Sequence, residues 1–120
     1  AEYMAQLLYS RQKGVRQGYL KEKLTEKYST VADYRSYGKK LNQISYNDPV
    51  NAYDIGSWFI AYLIHLTSEK AFRVDFYNDL DTLGFNASFI KHFGKDPESL
   101  ITDFDLFIDK GLVEALKIIP

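Results

Sequence analysis

The chain has 120 residues, no cysteine and a formal net charge of −1. This length suffices for one hydrophobic core and is short for two, and the lack of cysteine excludes a disulfide framework and a thiolate metal site. The longest apolar run, IGSWFIAYLIHL, has about 12 residues where a membrane span needs roughly 20, so it predicts a buried core helix. We therefore expect a single globular domain over residues 1–120.

Helical periodicity begins with the first residues, AEYMAQLL, and no residue that caps helices precedes them. Three helices are predicted in the first 44 residues, over the start to about 13, about 18–28 and about 30–44. Gly14 ends the first of these helices, and Ser29 with Thr30 begins the third. The stretch SYNDPVN that follows is predicted to be a loop, because Asn, Asp and Pro cluster there.

The helix over about 51–66 is the hydrophobic centre of the prediction, with Trp58 and Phe59 buried in it. Three more helices follow, over about 68–83, 86–93 and 97–110, and the Asp96-Pro97 pair is a strong start signal for the last. The tail LVEALKIIP fits either a turn of helix or a short strand. The sequence predicts an all-α fold, a compact bundle of about five to seven helices with a nearly all-apolar central helix.

Charge is distributed unevenly along the chain. Residues 11–40 hold nine Lys and Arg against three acids, whereas residues 69–114 hold five against ten. Such polarity can serve a partner surface or nucleic acid. The simpler interpretation is that two parts of one domain face each other, or that exposed helices are solvated.

Few residues of the chain suggest metal or nucleophilic chemistry. His65 and His92 are the only histidines, they lie on different predicted helices, and neither belongs to an H-x-x-x-H pattern. We expect both to be structural. The acids of DFYNDLD and DFDLFIDK alternate with apolar residues, which is typical of a solvated helix face rather than a calcium loop.

Two short motifs, read together, resemble those of a known enzyme family. The start, AEYMA, resembles the helix of gluzincin-type zinc metallopeptidases, whose pattern runs E-G-x-A-E-Y, and YDIGSWFIAYL resembles the Y-x-x-G-x-x-hydrophobic segment downstream in the same clan. Aminopeptidase-type and bacterial collagenase-type members carry that segment. The stretch FNASFIKHFGKDPESLITDFDLFI is similar to their recurring helical ending, so the resemblance spans nearly the whole chain.

The resemblance implies roles for two residues of this chain. In that clan, zinc is held by the two histidines of H-E-x-x-H and by the glutamate that opens E-G-x-A-E-Y; none of the three has a counterpart here. Glu2 matches the second acid of the pattern, which supports a zinc-bound histidine. Tyr53 matches the tyrosine that donates a hydrogen bond to the developing oxyanion. Tyr53 could equally be an ordinary aromatic residue at a helix start.

The leading hypothesis is therefore that the chain is the C-terminal helical subdomain of a zinc metallopeptidase-like protein. It would form one wall of the substrate cleft, beside an N-terminal catalytic half of the same protein. The intact parent protein would act on a peptide or protein substrate, and this chain would be inactive by itself. Zinc would belong to the parent, and no cofactor is expected in this chain. A cloned fragment, proteolysis or a natural protein without its catalytic half would each explain the uncapped start. The resemblance slightly favours a secreted or periplasmic protein, and we expect no membrane partner.

The alternative hypothesis is a free-standing helical binding module. Its candidate surface is the basic, tyrosine-rich segment 11–40, since basic and aromatic side chains together can bind phosphates and stack on bases. The partner would be a protein or a nucleic acid. A nucleic acid is the less favoured of the two, because the tyrosines share the helical spacing of the leucines and are expected to pack in the core rather than stack on bases. An H-E-x-x-H motif upstream in the reading frame would decide between the two hypotheses.

Overall fold

The computed structural model describes residues 2–120, which form eight α-helices. The helices follow the apolar residues at helical spacing and end at residues that stop helices. The helices are α1 (Glu2–Ser10), α2 (Tyr19–Tyr28), α3 (Val31–Tyr37), α4 (Ala52–Leu66), α5 (Phe76–Leu83), α6 (Phe85–Phe93), α7 (Pro97–Ile108) and α8 (Leu112–Leu116). A 3-10 turn over Leu41–Gln43 precedes α4, and a π-helical turn over Ala71–Asp75 leads directly into α5. Ala1, where the first helix was predicted to start, lies outside the described residues.

The all-α fold is confirmed, since residues 2–120 contain no β-strand. The seven helices α1–α7 match the predicted bundle of five to seven, and the ambiguous tail forms the short helix α8. The Cα radius of gyration is 14.5 Å, near the roughly 14 Å of a compact domain of this length. In this part of the chain, no helix combines the length and the apolar character that crossing a membrane requires.

Some helix boundaries differ from the prediction for local reasons. The third helix ends at Tyr37 rather than near Ile44, because Gly38 adopts a φ of +91°, the left-handed conformation that terminates helices. In place of the predicted last turns of this helix, the chain forms the 3-10 turn over Leu41–Gln43. Asn86, predicted to cap α6, lies inside that helix, which begins at Phe85.

Helix α4 lies at the centre of the bundle and packs against α1, α2 and α7. Trp58 is fully buried, and its indole N–H donates a hydrogen bond to the carbonyl of Leu24 on α2 at 3.1 Å. The ring of Tyr28 meets Trp58 edge-on, with ring centroids 5.9 Å apart. The predicted burial of Trp58 is therefore confirmed, and it joins α2 to α4.

Helix α4 is not enclosed on every side. Phe59, predicted to be buried, is only half-buried, and the side chains of Tyr53 and Leu66 are exposed at the two ends of the helix. One face of α4 therefore borders open surface, since neighbouring helices cover only part of its circumference. Two hollows of the molecular surface border α4, one at Phe59 and the other at Tyr53 in its first turn.

Candidate functional site

Tyr53 lies in the first turn of α4. Asn51 caps the helix, since its side-chain oxygen accepts hydrogen bonds from the backbone N–H groups of Tyr53 at 3.0 Å and Asp54 at 3.3 Å. The Tyr53 side chain is 55% exposed, and its hydroxyl lies 3.0 Å from the hydroxyl of Tyr46 in the preceding loop. That hydrogen bond is the main reason that the pKa of Tyr53 is raised; desolvation comes next, and the charge of Glu2 contributes least.

Glu2 lies close to Tyr53, because α1 packs against α4. Both residues line a surface hollow of about 110 Å³, which also borders Gly56 and Ser57 on α4; we call it the Tyr53 hollow. The hydroxyl of Ser57 is buried there and has no hydrogen-bond partner among the described residues. The residues around the hollow thus include one exposed hydroxyl, that of Tyr53, and the carboxylate of Glu2, which can donate to a carbonyl oxygen and accept from an N–H group respectively.

The buried ammonium group of Lys27 forms ion pairs with two acidic residues near the hollow. Lys27 on α2 is only 6% exposed, and its ammonium group forms ion pairs with Glu2 and, at 3.6 Å, with Asp54. Asp54 also accepts a hydrogen bond from the hydroxyl of Thr30 at 2.7 Å. Lys27 therefore fixes the position of Glu2 relative to the first turn of α4.

The position of Lys27 differs from its predicted place in an exposed basic segment. A signal for its burial was available, because Leu20, Leu24 and Lys27 follow the i, i+4, i+7 spacing of one helix face. All three are buried. A lysine on the apolar stripe of a helix predicts a buried cation with acidic partners.

The residues that the structure describes do not form a ligand set for zinc. Within residues 2–120, no three His, Asp or Glu side chains converge on one point. His65 is exposed at the end of α4, and an imidazole nitrogen of His92 lies 2.6 Å from a carboxylate oxygen of Asp79. Glu2 contacts the ammonium group of Lys27, whose positive charge opposes a cation at that carboxylate.

Two of the four tyrosines of segment 11–40, Tyr34 and Tyr37, do not contribute to an exposed stacking surface. Tyr34 is buried, and its hydroxyl donates to Asp105 at 2.7 Å. The half-buried Tyr37 donates to Asp48 at 2.6 Å. These rings pack against the core and direct their hydroxyls to acids of the same domain, which is not the geometry of a base-stacking platform.

Several cations of segment 11–40 pair with acids elsewhere in the chain. The guanidinium of Arg11 forms two hydrogen bonds with the carboxylate of Glu69, at 3.1 and 2.7 Å, and lowers the pKa of that carboxyl. Arg35 forms a similar pair with Asp109, at 2.8 and 3.0 Å. These two pairs join the basic segment to the acidic part of the chain, so the charges of Arg11 and Arg35 are used within the domain.

The fold and this geometry define an all-α domain with a polar hollow at the start of its central helix. No family model matches the sequence, and comparisons with curated proteins and with solved structures find no match either. The site itself is therefore the basis for a function.

Proposed function

We propose that this chain forms one wall of the substrate cleft of a zinc metallopeptidase-like protein and is inactive by itself. Tyr53 is the residue proposed to act in the reaction, as a hydrogen-bond donor to the oxyanion that develops on the scissile carbonyl. The single observation that carries the proposal is that Glu2 and Tyr53 line the same hollow. These are the two residues that match the functional positions of the family motifs.

The chemistry of Tyr53 suits this role. A phenol has an ordinary pKa of about 10, so Tyr53 is protonated at neutral pH and can donate a hydrogen bond, and the hydroxyl of Tyr46 raises the pKa of Tyr53 further. The ring is exposed enough to meet a substrate from solvent. In peptide hydrolysis negative charge accumulates on the carbonyl oxygen, and a donor already placed near it lowers the barrier without moving a proton.

Glu2 is proposed to position a group on the opposite wall of the cleft. Its side chain is 42% exposed although the ammonium group of Lys27 holds it. A carboxylate fixed in this way has lone pairs left to orient an imidazole N–H from a neighbouring segment. The proposal assigns the zinc ligands to that neighbouring segment, since the residues described here do not form a ligand set.

The decisive experiment uses the protein that carries this chain after an H-E-x-x-H segment. There, Tyr53→Phe should lower kcat on the order of 10²-fold with little change in KM, because it removes an interaction made mainly in the transition state. Tyr77→Phe is the matched control, since Tyr77 on α5 is similarly exposed, at 54%. Full activity of the Tyr53→Phe variant would remove the assignment.

The 120-residue chain gives an independent test. Calorimetric titration with zinc should show no tight site, and a peptidase assay should show no hydrolysis, because a catalytic zinc needs about three protein ligands. One tight equivalent of zinc together with chelator-sensitive hydrolysis would overturn the proposal that the chain is one inactive wall.

A further inference from the structure

A larger cleft lies on the open side of α4, between the 3-10 turn, α6 and α7. Its volume is about 470 Å³, within the range of small-molecule sites. Its walls are mostly apolar and comprise Leu41, Phe59, Phe85, Phe89, Ile90 and Ile101. We call it the α6–α7 cleft. It shares no lining residue with the Tyr53 hollow, so a ligand here is independent of the role of Tyr53.

Aromatic rings form two sides of this cleft. Phe59 packs edge-on against Phe104 in the core, with ring centroids 5.2 Å apart, and remains half-buried because the cleft borders it. On α6, Phe85 and Phe89 stack one helical turn apart, with centroids 5.9 Å apart and an interplanar angle of 28°. Phe85 is 56% exposed and Ile90 is 46% exposed. Their apolar surface favours a flat, apolar guest.

The rim of the cleft is polar and acidic. Asn42, Asn86, Asp96 and Glu98 border it. The carboxylate of Asp96 is occupied as the cap of α7, because it accepts from the N–H of Ser99 at 2.9 Å and from its hydroxyl at 2.8 Å.

Of the two acids at the rim, Glu98 is the one whose carboxylate is free to interact with a ligand, because that of Asp96 caps α7. It is exposed and forms no ion pair within residues 2–120. Lys40, which lies beside Glu98 in an adjoining hollow, is held by Asp105 at 3.1 Å. The N-terminus of α7 offsets only part of the charge of Asp96 and Glu98, since it is equivalent to about half a positive charge. The rim therefore favours a cation.

We propose that the α6–α7 cleft binds a small aromatic cation, with the ring between Phe59 and the stacked pair Phe85 and Phe89 and the ammonium group at Glu98. Ring burial supplies most of the affinity, because apolar area leaves water. The carboxylate of Glu98 supplies the preference for positive charge.

The test is an NMR titration of the ¹⁵N-labelled 120-residue chain with three probes that differ in charge: phenethylamine, 2-phenylethanol and 3-phenylpropionate. Phenethylamine should bind with a dissociation constant on the order of 1 mM, as expected for a fragment of this size. It should shift the amide signals of Asn42, Asn86 and Glu98. Affinity should fall in the order cation, neutral alcohol, anion, with about threefold between successive probes, the size of an exposed charge interaction.

Variants separate the two parts of the proposal. Glu98→Gln should remove the preference for phenethylamine over phenylethanol and leave phenylethanol binding unchanged. The matched control is Glu26→Gln, which removes an exposed glutamate from α2. Phe59→Ala should weaken all three probes about tenfold through lost apolar contact. Asn86→Trp, at an exposed rim position, should weaken them without removing core contacts.

Three results would overturn the proposal. The first is a set of shifted amides that lies outside the cleft. The second is phenylpropionate binding as tightly as phenethylamine. The third is unchanged binding in the Asn86→Trp variant, provided that circular dichroism shows the variant to be folded.

Discussion

Replacing the buried Lys27 with methionine tests whether the ammonium group beneath the Tyr53 hollow stabilises the fold. Methionine keeps the length and the helix propensity of the side chain, so the substitution removes chiefly the positive charge. It leaves the carboxylates of Glu2 and Asp54 without their shared partner. We expect Lys27→Met to lower the free energy of unfolding by about 2 kcal/mol, between the exposed and the fully buried cases.

The magnitude follows from the exposure of the partners. Removing one member of a fully buried pair costs about 3–5 kcal/mol, whereas an exposed pair is worth about 0.2–1 kcal/mol. The side chain of Glu2 is 42% exposed and that of Asp54 is 20% exposed, so water can solvate both in the variant. Asp54 also keeps the hydrogen bond from Thr30. The cost therefore falls well below the fully buried limit.

Urea unfolding followed by circular dichroism measures this change, and thermal unfolding provides a second readout. For a domain of this length, about 2 kcal/mol corresponds to a decrease in Tm of roughly 8 °C. Lys21→Met is the matched control, because Lys21 is exposed on the same helix, and it should change stability by less than about 0.5 kcal/mol.

A double variant tests whether the loss comes from the ion pair. The combined cost of Lys27→Met with Asp54→Asn should be smaller than the sum of the two single costs, because the residues share one contact. If Lys27→Met were as mild as Lys21→Met, the buried ion pair would contribute nothing to the free energy of unfolding, which would contradict the prediction.

Two further predictions concern other buried groups. Trp58→Phe should lower the free energy of unfolding, measured by urea unfolding, by about 2 kcal/mol. About half of this loss comes from the missing indole hydrogen bond and half from the cavity that the smaller ring leaves. A loss below about 0.5 kcal/mol would contradict the tight packing of Trp58. Burial raises the pKa of Tyr3 to about 12 and also raises that of Tyr34. The contribution of Tyr3 to stability is complete below about pH 10 and is lost as pH rises towards 12, because the unfolded chain ionises first, and that of Tyr34 is lost in the same direction. Tyrosinate absorbance should therefore include groups that ionise only above about pH 11 or on unfolding, and ionisation of every tyrosine near about pH 10 in the folded chain would contradict this prediction.

Helix positions in this chain were largely predictable because their signals are local. Asp96 and Asn51 cap α7 and α4 with their own side chains, as the residues around them indicate. Gly94 ends α6 with a φ of +88°. A cap or a left-handed glycine acts within one helical turn, so a single sequence contains the information. The all-α fold and the burial of Trp58 follow from such local signals and from apolar periodicity.

The surroundings of individual side chains depended on which helices meet. Lys27 looked like part of a basic surface, yet its acidic partner Glu2 lies 25 positions earlier in the chain. Phe59 looked like core, yet α4 borders a cleft on that side. The hydroxyl contact between Tyr46 and Tyr53 depends on how the loop before α4 folds back.

Periodicity identifies the apolar face of a helix, and it does not identify the element that covers that face. Contacts between residues far apart in sequence depend on the packing of several helices at once, which is a property of the whole tertiary structure. Local signals therefore suffice to predict the helices and much of the core of this protein, whereas the ion pairs, the Tyr53 hollow and the α6–α7 cleft depend on how the helices pack together.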